Sequence, residues 1–412
     1  MSMICNKDIE ILETLATDNG WSRRTFQAYK YAANEYCTFN EKTLTELLKE
    51  AEQEEIQKIR WKERTLLKRL ITFRTHLIKN FRGDTVKSYF GLIKSIYNYN
   101  FIEIHRLPPI NPKSITKNKQ ISFGDLPKKN HLIKGVELSK PDMASIIFFM
   151  SSSGCARAEV LSLKIKDFIY ATHRHKYHKI PYEIDESPEE KQIIERNNIN
   201  LLIENLMDQK KVIPTFNVYR GKTNKFHSTF CSHEAVQSIL NHLLTRTDQK
   251  ILNYDSKLFK TNIRYFSEKF KYINNALKLG KAGKYNVFSS HMLRKYHASN
   301  LIRKGPSGHS LTEKQVDTLQ GRGKIDSRKS YMFEDYESLR EQYIECLDNI
   351  TLYDNVSMIK RSKEYNEVKE ELNEKNSELN RINNLINPET LNKLEKIFEN
   401  TDKEKMEDFL KQ

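Results

Sequence analysis

The sequence predicts a mainly α-helical protein with one small β-hairpin, an α+β chain of two globular parts and a helical tail. Three observations predict it. Apolar residues recur at helical spacing over most of the 412 residues, strand-like alternation is confined to one segment around a turn, and a proline-bearing polar stretch separates two globular lengths. A chain this long exceeds one ordinary domain and can bury two cores.

From Ser22 to about Ile104 the apolar positions fall on helix faces, first Phe26, Tyr29, Ala33 and Tyr36, then Leu66, Leu67, Leu70, Phe73, Leu77 and Ile78. After the break at Arg82-Gly83, Asp84 reads as the N-cap of a helix carrying Val86, Tyr89, Phe90, Ile93, Ile96 and Tyr97. Residues 1–105 therefore read as a helical domain. Residues 106–130, with Pro108, Pro109, Pro112 and Pro127, read as a linker.

Residues 131–350 mix periods. A helix opens at Ser139-Lys-Pro-Asp142, with proline suited to a first turn, and a polar stretch from Tyr182 to Gln209 also reads as helix. Val212 to Phe230 alternates around GKTNK as a hairpin, a helix follows at His233 to Leu244, and the remainder through Tyr343 reads as helices. In residues 355–412, Met358, Tyr365, Val368, Leu372, Leu379, Ile382 and Ile386 fill seven of nine a/d positions, interrupted by Arg361 and Lys375. That pattern predicts a coiled coil of about four heptads, or one amphipathic helix docked on its own chain.

Sixty-nine Lys and Arg against 54 Asp and Glu give a formal charge of +15, which points to a polyanionic partner. Between Arg60 and Lys129 sixteen basic residues face four acidic ones, so most of the excess lies in the helical domain's second half and the linker. The longest apolar run, around Ile146 to Met150, is far short of a membrane span, and the N-terminus lacks a signal peptide's apolar core. A cytoplasmic protein with no membrane partner is the expectation. Cys5, Cys37, Cys155, Cys231 and Cys346 form neither a CxxC pair nor a Cys/His cluster, so neither a disulfide framework nor a metal site is expected.

Four segments carry chemistry together: Gly154-Cys-Ala-Arg157-Ala-Glu159-Val-Leu, Gly221-Lys222-Thr-Asn-Lys225, His291-Met-Leu-Arg294 and Leu319-Gln-Gly321-Arg322, with Tyr331 nine residues beyond Arg322. Each alone is weak, since HxxR recurs by chance and the chain has 20 tyrosines. Their order, Arg, then Lys on a hairpin, then HxxR, then Tyr, resembles the catalytic domain of the tyrosine recombinases, the family of lambda-type and Xer-type integrases. The motifs cover residues 131–348, and the N-terminal half is similar in architecture only.

The residue types suit one reaction. A phosphodiester concentrates negative charge on its non-bridging oxygens as a nucleophile adds, and the guanidiniums of Arg157 and Arg294 can each donate paired hydrogen bonds to them. Tyr331, with a free pKa near 10, needs a proton acceptor or neighbouring positive charge to attack, and His291 titrates in the range for that work. A phosphotyrosine ester conserves the bond energy, so no cofactor and no metal are expected; no GxxxxGK loop is present.

The resemblance implies more. It makes Lys222 the proton donor to the departing 5′-oxygen, with Lys225 as the alternative, and gives Glu159 a structural role. It implies a helical core-binding domain and a catalytic domain closing on double-stranded DNA attachment sites, a homotetramer on DNA, and accessory DNA-bending proteins. Arg322 stands where the family commonly has His or Trp, and Tyr336 is a rival nucleophile five residues past Tyr331. A type IB topoisomerase, a DNA-binding protein with a relict recombinase domain, and a coiled-coil scaffold are the competing readings.

Overall fold

The computed structural model describes residues 3–109, 120–221, 223–246, 248, 251–306, 308–322 and 335–353, with 375, 377, 378 and 381 beyond them. The heptad seam, the middle of the linker, Lys222 and Tyr331 lie outside the described residues. The chain divides into two compact units, Met1–Gln120 and Ile121–Gln412. Among the described residues no helix is long and apolar enough to cross a membrane.

The first unit is helical: α1 (Asn6–Asp18), α2 (Arg23–Asn40), α3 (Leu44–Ile56), α4 (Thr65–Asn80) and α5 (Gly83–Tyr99). Ser22 caps α2 by accepting from the Thr25 N–H, and Thr43 with Glu46 forms a capping box on α3, each meeting N–H groups that a helix start leaves unpaired. The helical period sends Leu12, Tyr36, Phe73, Ile93 and Tyr97 into one core, where the Tyr36 and Tyr97 hydroxyls pair at 3.1 Å. Asp8 of α1 is buried and accepts from the Thr45 amide and hydroxyl at 2.8 and 2.7 Å. Burial alone would raise its pKa, yet these hydrogen bonds prevail and hold it below the usual carboxylate value.

Two sequence expectations need correction here. Asp84 does not cap α5: Arg82 is the N-cap and Asp84 sits inside the first turn, where its charge still faces the positive helix end. The basic stretch is also not all free surface. Arg64 pairs with Glu55 at 2.8 Å, Arg69 with Glu50 at 3.0 Å, and Arg74 donates to the Pro108 carbonyl at 2.6 Å, whereas Arg60, Lys62, Lys68, Lys79, Arg82 and Lys87 are exposed.

The second unit runs α6 (Lys129–Glu137), α7 (Pro141–Ser153), α8 (Arg157–Ser162), α9 (Ile165–His173), α10 (Pro188–Met207), β1 (Thr215–Arg220), β2 (Lys225–Phe230), α11 (His233–Leu244), α12 (Ile263–Ala276), β3 (Lys281–Ala282), β4 (Tyr285–Asn286), α13 (Ser290–Ile302), α14 (Glu313–Leu319) and α15 (Tyr336–Glu345). Helix α7 is buried on nearly all sides, apolar from Ile146 to Met150 and with its serines turned back on their own helix carbonyls, because it is the centre packed by α6, α11 and α13. Strands β1 and β2 pair antiparallel from Thr215↔Phe230 to Arg220↔Lys225, which places the GKTNK turn at the hairpin's end. The expectation that everything after α11 is helical fails at β3 and β4, a separate antiparallel pair. Strands of two residues are too short to show alternation.

The C-terminal end of α7 collects the unit's other elements. Its Ser153 carbonyl accepts from Thr229 of β2 and its Ser152 carbonyl from Tyr343 of α15, both at 2.8 Å. Helix α7 then stops at Gly154, whose φ of +67° is a left-handed C-cap.

Candidate active site

Gly154 turns the chain from α7 into α8, and the side chains of interest gather around that turn. A Cβ added there would lie 2.5 Å from His297 Nδ1 and 2.8 Å from Gln320 Nε2, at a φ that L side chains rarely adopt. Gly154→Ala is therefore expected to lower stability by about 3 kcal/mol, from left-handed strain and overpacking together. A chemical-denaturation midpoint within about 1 kcal/mol of wild type would show that the turn relaxes freely.

Arg294 lies one helical turn from His291 on α13, but the two side chains meet different surroundings. The Arg294 guanidinium is buried: Nη1 donates to the Gly154 carbonyl at 2.7 Å and faces Glu159 Oε2 at 3.3 Å, while Nη2 donates to the Gln320 carbonyl. Burial pulls its pKa down to about 10, against the opposing pull of Glu159, so it stays charged at neutral pH. His291 is half-buried and stacks on Tyr285 of β4 with ring centroids 4.2 Å apart. Burial first, then Lys295, Arg322, Arg294 and Lys284, lower its pKa below the ordinary imidazole value. The neutral ring that results at pH 7 can accept a proton.

Glu159 occupies the third position of α8 and closes the helix start by accepting from the Ala156 N–H at 2.6 Å. Its carboxylate is buried and faces both Arg294 and, at 3.8 Å through Oε1, Arg220 Nε. Arg220 ends β1 and donates through Nη1 to the same Gln320 carbonyl at 2.6 Å. Gln320 itself is fully buried, and its Nε2 donates to the Arg294 carbonyl at 3.0 Å and meets His297 Nδ1 at 2.9 Å. Two residues on, Arg322 is half-buried, and burial lowers its pKa while Asp317 opposes and Arg220 adds to the fall.

The sequence-predicted residues thus divide. Arg294 and Arg322 share one electrostatic neighbourhood with His291, since each guanidinium depresses the imidazole's pKa. Arg157 is exposed at the start of α8, donates through Nη1 to Ser267 Oγ of α12 at 3.0 Å, and lies over the Phe266 ring at 6.0 Å. Lys222, between Gly221 and Thr223, and Tyr331 are outside the described residues.

Sequence reasoning missed Arg220, His227 and Gln320. The signal for the first two was present, because the hairpin's alternation puts Arg220 on the inward side with Val218 while Tyr219 faces out, and His227 pairs with Val218. His227 is buried, and neither ring nitrogen makes a hydrogen bond of ordinary geometry. Burial lowers its pKa, with Glu159 and the Val218 carbonyl opposing and Arg294 and Arg220 reinforcing the fall. It fits only because position 321 is glycine, where a Cβ would lie 2.6 Å from Nδ1.

No family model and no curated protein matches the chain. Solved structures do align with it at low similarity. The crystal structure of XerA recombinase is 16% identical with a TM-score of 0.29, covering 82% of this chain and 98% of that one. XerH site-specific recombinase bound to its difH substrate, a pre-cleavage complex, is 15% identical with a TM-score of 0.37, covering 67% and 69%. The integrase from mycobacterium phage Brujita is 15% identical with a TM-score of 0.30, covering 84% and 94%.

Proposed function

We propose that this protein is a tyrosine site-specific recombinase that cleaves and rejoins double-stranded DNA through a 3′-phosphotyrosine intermediate, integrating or excising a mobile element. One observation carries the reading: the buried Arg294 guanidinium is held by the Gly154 and Gln320 carbonyls and the Glu159 carboxylate, and with half-buried Arg322 it adds to the effect of burial in lowering the pKa of the His291 imidazole.

Each residue has a part that the chemistry defines. The Tyr331 oxygen attacks phosphorus as its proton passes to His291, and the bond to the 5′-oxygen breaks. Lys222 gives that oxygen a proton, which leaves the DNA 3′-phosphate esterified to tyrosine and a free 5′-hydroxyl. Arg294 and Arg322 hold the charge that builds on the non-bridging oxygens. Attack by a 5′-hydroxyl on the phosphotyrosine reverses the balance and rejoins a strand. Glu159 holds the start of α8 and the guanidiniums in place.

The domains follow this division of labour: residues 1–105 bind duplex, 106–130 link, 131–350 cut and rejoin, and 355–412 pair protomers in a synaptic homotetramer. Exposed Arg60, Lys62, Lys68, Lys79, Arg82 and Lys87 supply phosphate contacts, so binding falls steeply with salt. Accessory DNA-bending proteins assist assembly on attachment sites.

The test uses a library of nicked duplexes incubated with the full-length protein in excess chelator. A denaturation-resistant protein–DNA adduct is expected, with the DNA-linked peptide mapping to Tyr331. An adduct that forms only with added magnesium or manganese, or no adduct with any duplex, would overturn the proposal. Relaxation of supercoiled DNA without any preferred site would transfer it to the type IB topoisomerases.

A further inference from the structure

We infer that Arg220 of β1 is the guanidinium that joins Arg294 in binding the scissile phosphodiester, the part that sequence spacing gives to Arg157. The inference rests on the recombinase reading and names which arginines serve it.

The first support is shared anchoring. Arg220 Nη1 and Arg294 Nη2 both donate to the carbonyl of Gln320, and the two oxygens of Glu159 face one guanidinium each, Oε1 toward Arg220 at 3.8 Å and Oε2 toward Arg294 at 3.3 Å. Two residues 74 positions apart are thereby held side by side by one carbonyl and one carboxylate. A guanidinium has five N–H donors, so these contacts leave donors on both arginines for a ligand.

The second support is charge. Arg220 and Arg322 both act on Arg294 in the sense that disfavours its charge, and Arg220 acts likewise on Arg322. Glu159 and Asp317 are the carboxylates that oppose them there, two against three guanidiniums. A cluster that keeps an excess cation in a half-buried place is stabilised by an anion with a single negative charge, which is what a phosphodiester carries.

The third support is a buried imidazole with poorly formed hydrogen bonds. His227 is 7% exposed, among the described residues neither ring nitrogen makes a hydrogen bond of ordinary geometry, the Val218 carbonyl being its only backbone neighbour of that kind, and the hairpin's pleat puts it on the face that carries Arg220. An imidazole buried beside guanidiniums without a well-formed hydrogen bond costs up to about 1–3 kcal/mol, and a phosphate oxygen entering the cluster would supply an acceptor of better geometry. The glycine at position 321, with φ of +57°, keeps the space in which the ring lies.

Arg157 lacks each of these. Its exposed guanidinium turns to Ser267 and the Phe266 ring, and it is not among the largest charges acting on Arg294, Arg322, His291 or His227. By contrast Arg220 acts on three of those four.

The test compares Arg220→Ala, Arg220→Lys and Arg157→Ala with wild type, in the full chain, on a nicked duplex that wild type converts to a covalent adduct. A second duplex carries a methylphosphonate at the scissile position, where a methyl group replaces one charged oxygen. Arg220→Ala is expected to slow adduct formation about 100-fold or more, Arg220→Lys nearly as much, and Arg157→Ala less than about tenfold. With the methylphosphonate the Arg220→Ala protein should regain at least about tenfold, because the charge its guanidinium neutralises is gone. A structural brace would show no such rescue. Loss without rescue, or a larger loss for Arg157→Ala than for Arg220→Ala, overturns the assignment and leaves the recombinase reading intact. Failure of wild type to form any adduct overturns that reading itself.

Discussion

Tyr331→Phe protein is expected to bind duplex DNA within about twofold of wild type and to form covalent adduct about 10⁴-fold more slowly or not at all. Phenylalanine keeps the ring's volume and apolar body, so whatever the ring packs against is retained. Only the attacking oxygen is gone, and water cannot replace it in forming a bond between protein and DNA. Adduct is counted after denaturation, and affinity is measured by anisotropy at matched salt, since phosphate contacts make any affinity salt-dependent. Adduct above about one per cent of the wild-type rate would move the nucleophile to another residue. Tyr336 is the first candidate, although as the opening residue of α15 it packs against the core formed by Leu339 and Tyr343.

Arg294→Ala is expected to fail twice, in catalysis by about 10³-fold and in stability by about 3–5 kcal/mol. Removing the side chain leaves the Gly154 carbonyl without its donor and the buried Glu159 carboxylate with Arg220 at 3.8 Å as its nearest cation. The Gln320 carbonyl suffers less, because Arg220 still donates to it. Arg294→Lys should recover part of the stability by keeping the charge, yet little of the activity, because one ammonium cannot span Gly154, Glu159 and Gln320 and also hold a phosphate. Denaturation midpoints separate the two effects, with cleavage measured where the variants remain folded. An Ala variant within about 1 kcal/mol of wild type would mean that Glu159 is better solvated than its burial indicates.

Much of this was legible in the sequence because it follows from local period. His291 and Arg294 are one turn apart in any helix, GKTNK between alternating segments makes a hairpin, and Pro141 opens α7 as the proline position implied. What the sequence did not show depends on long-range closure. That Arg220 meets Gln320 requires a contact across 100 residues, and no spacing rule connects a strand end with a helix end. Arg157 illustrates the converse. Its distance along the chain from Gly154 and Glu159 suits a phosphate-binding role, but at the first position of α8 its side chain leaves the helix start toward Ser267 of α12. Helix α1 escaped notice because its apolar positions are diluted by acidic ones, and its docking adds the polar Asp8–Thr45 contact to the burial of Leu12 and Leu15.

On the proposed recombinase reading, the anchoring of α15 sets a limit on where Tyr331 as nucleophile can be delivered. Tyr331 stands four positions before Asp335, a length of chain that spans at most about 14 Å, whereas the nine positions from Arg322 span at most about 32 Å. The shorter tether governs. Its post is firm: Tyr343 is fully buried with its hydroxyl on the Ser152 carbonyl, and Arg340 donates to the Ile213 carbonyl at 3.0 Å and the Tyr177 hydroxyl at 2.7 Å. In the proposed synaptic assembly a protomer would therefore lend its tyrosine to a neighbour in one of two ways. The neighbour's phosphate comes within that short radius, or α15 leaves its seat and exposes Tyr343 and Leu339. The second route costs about 1.5–3 kcal/mol for each large side chain uncovered, before any hydrogen bond is counted.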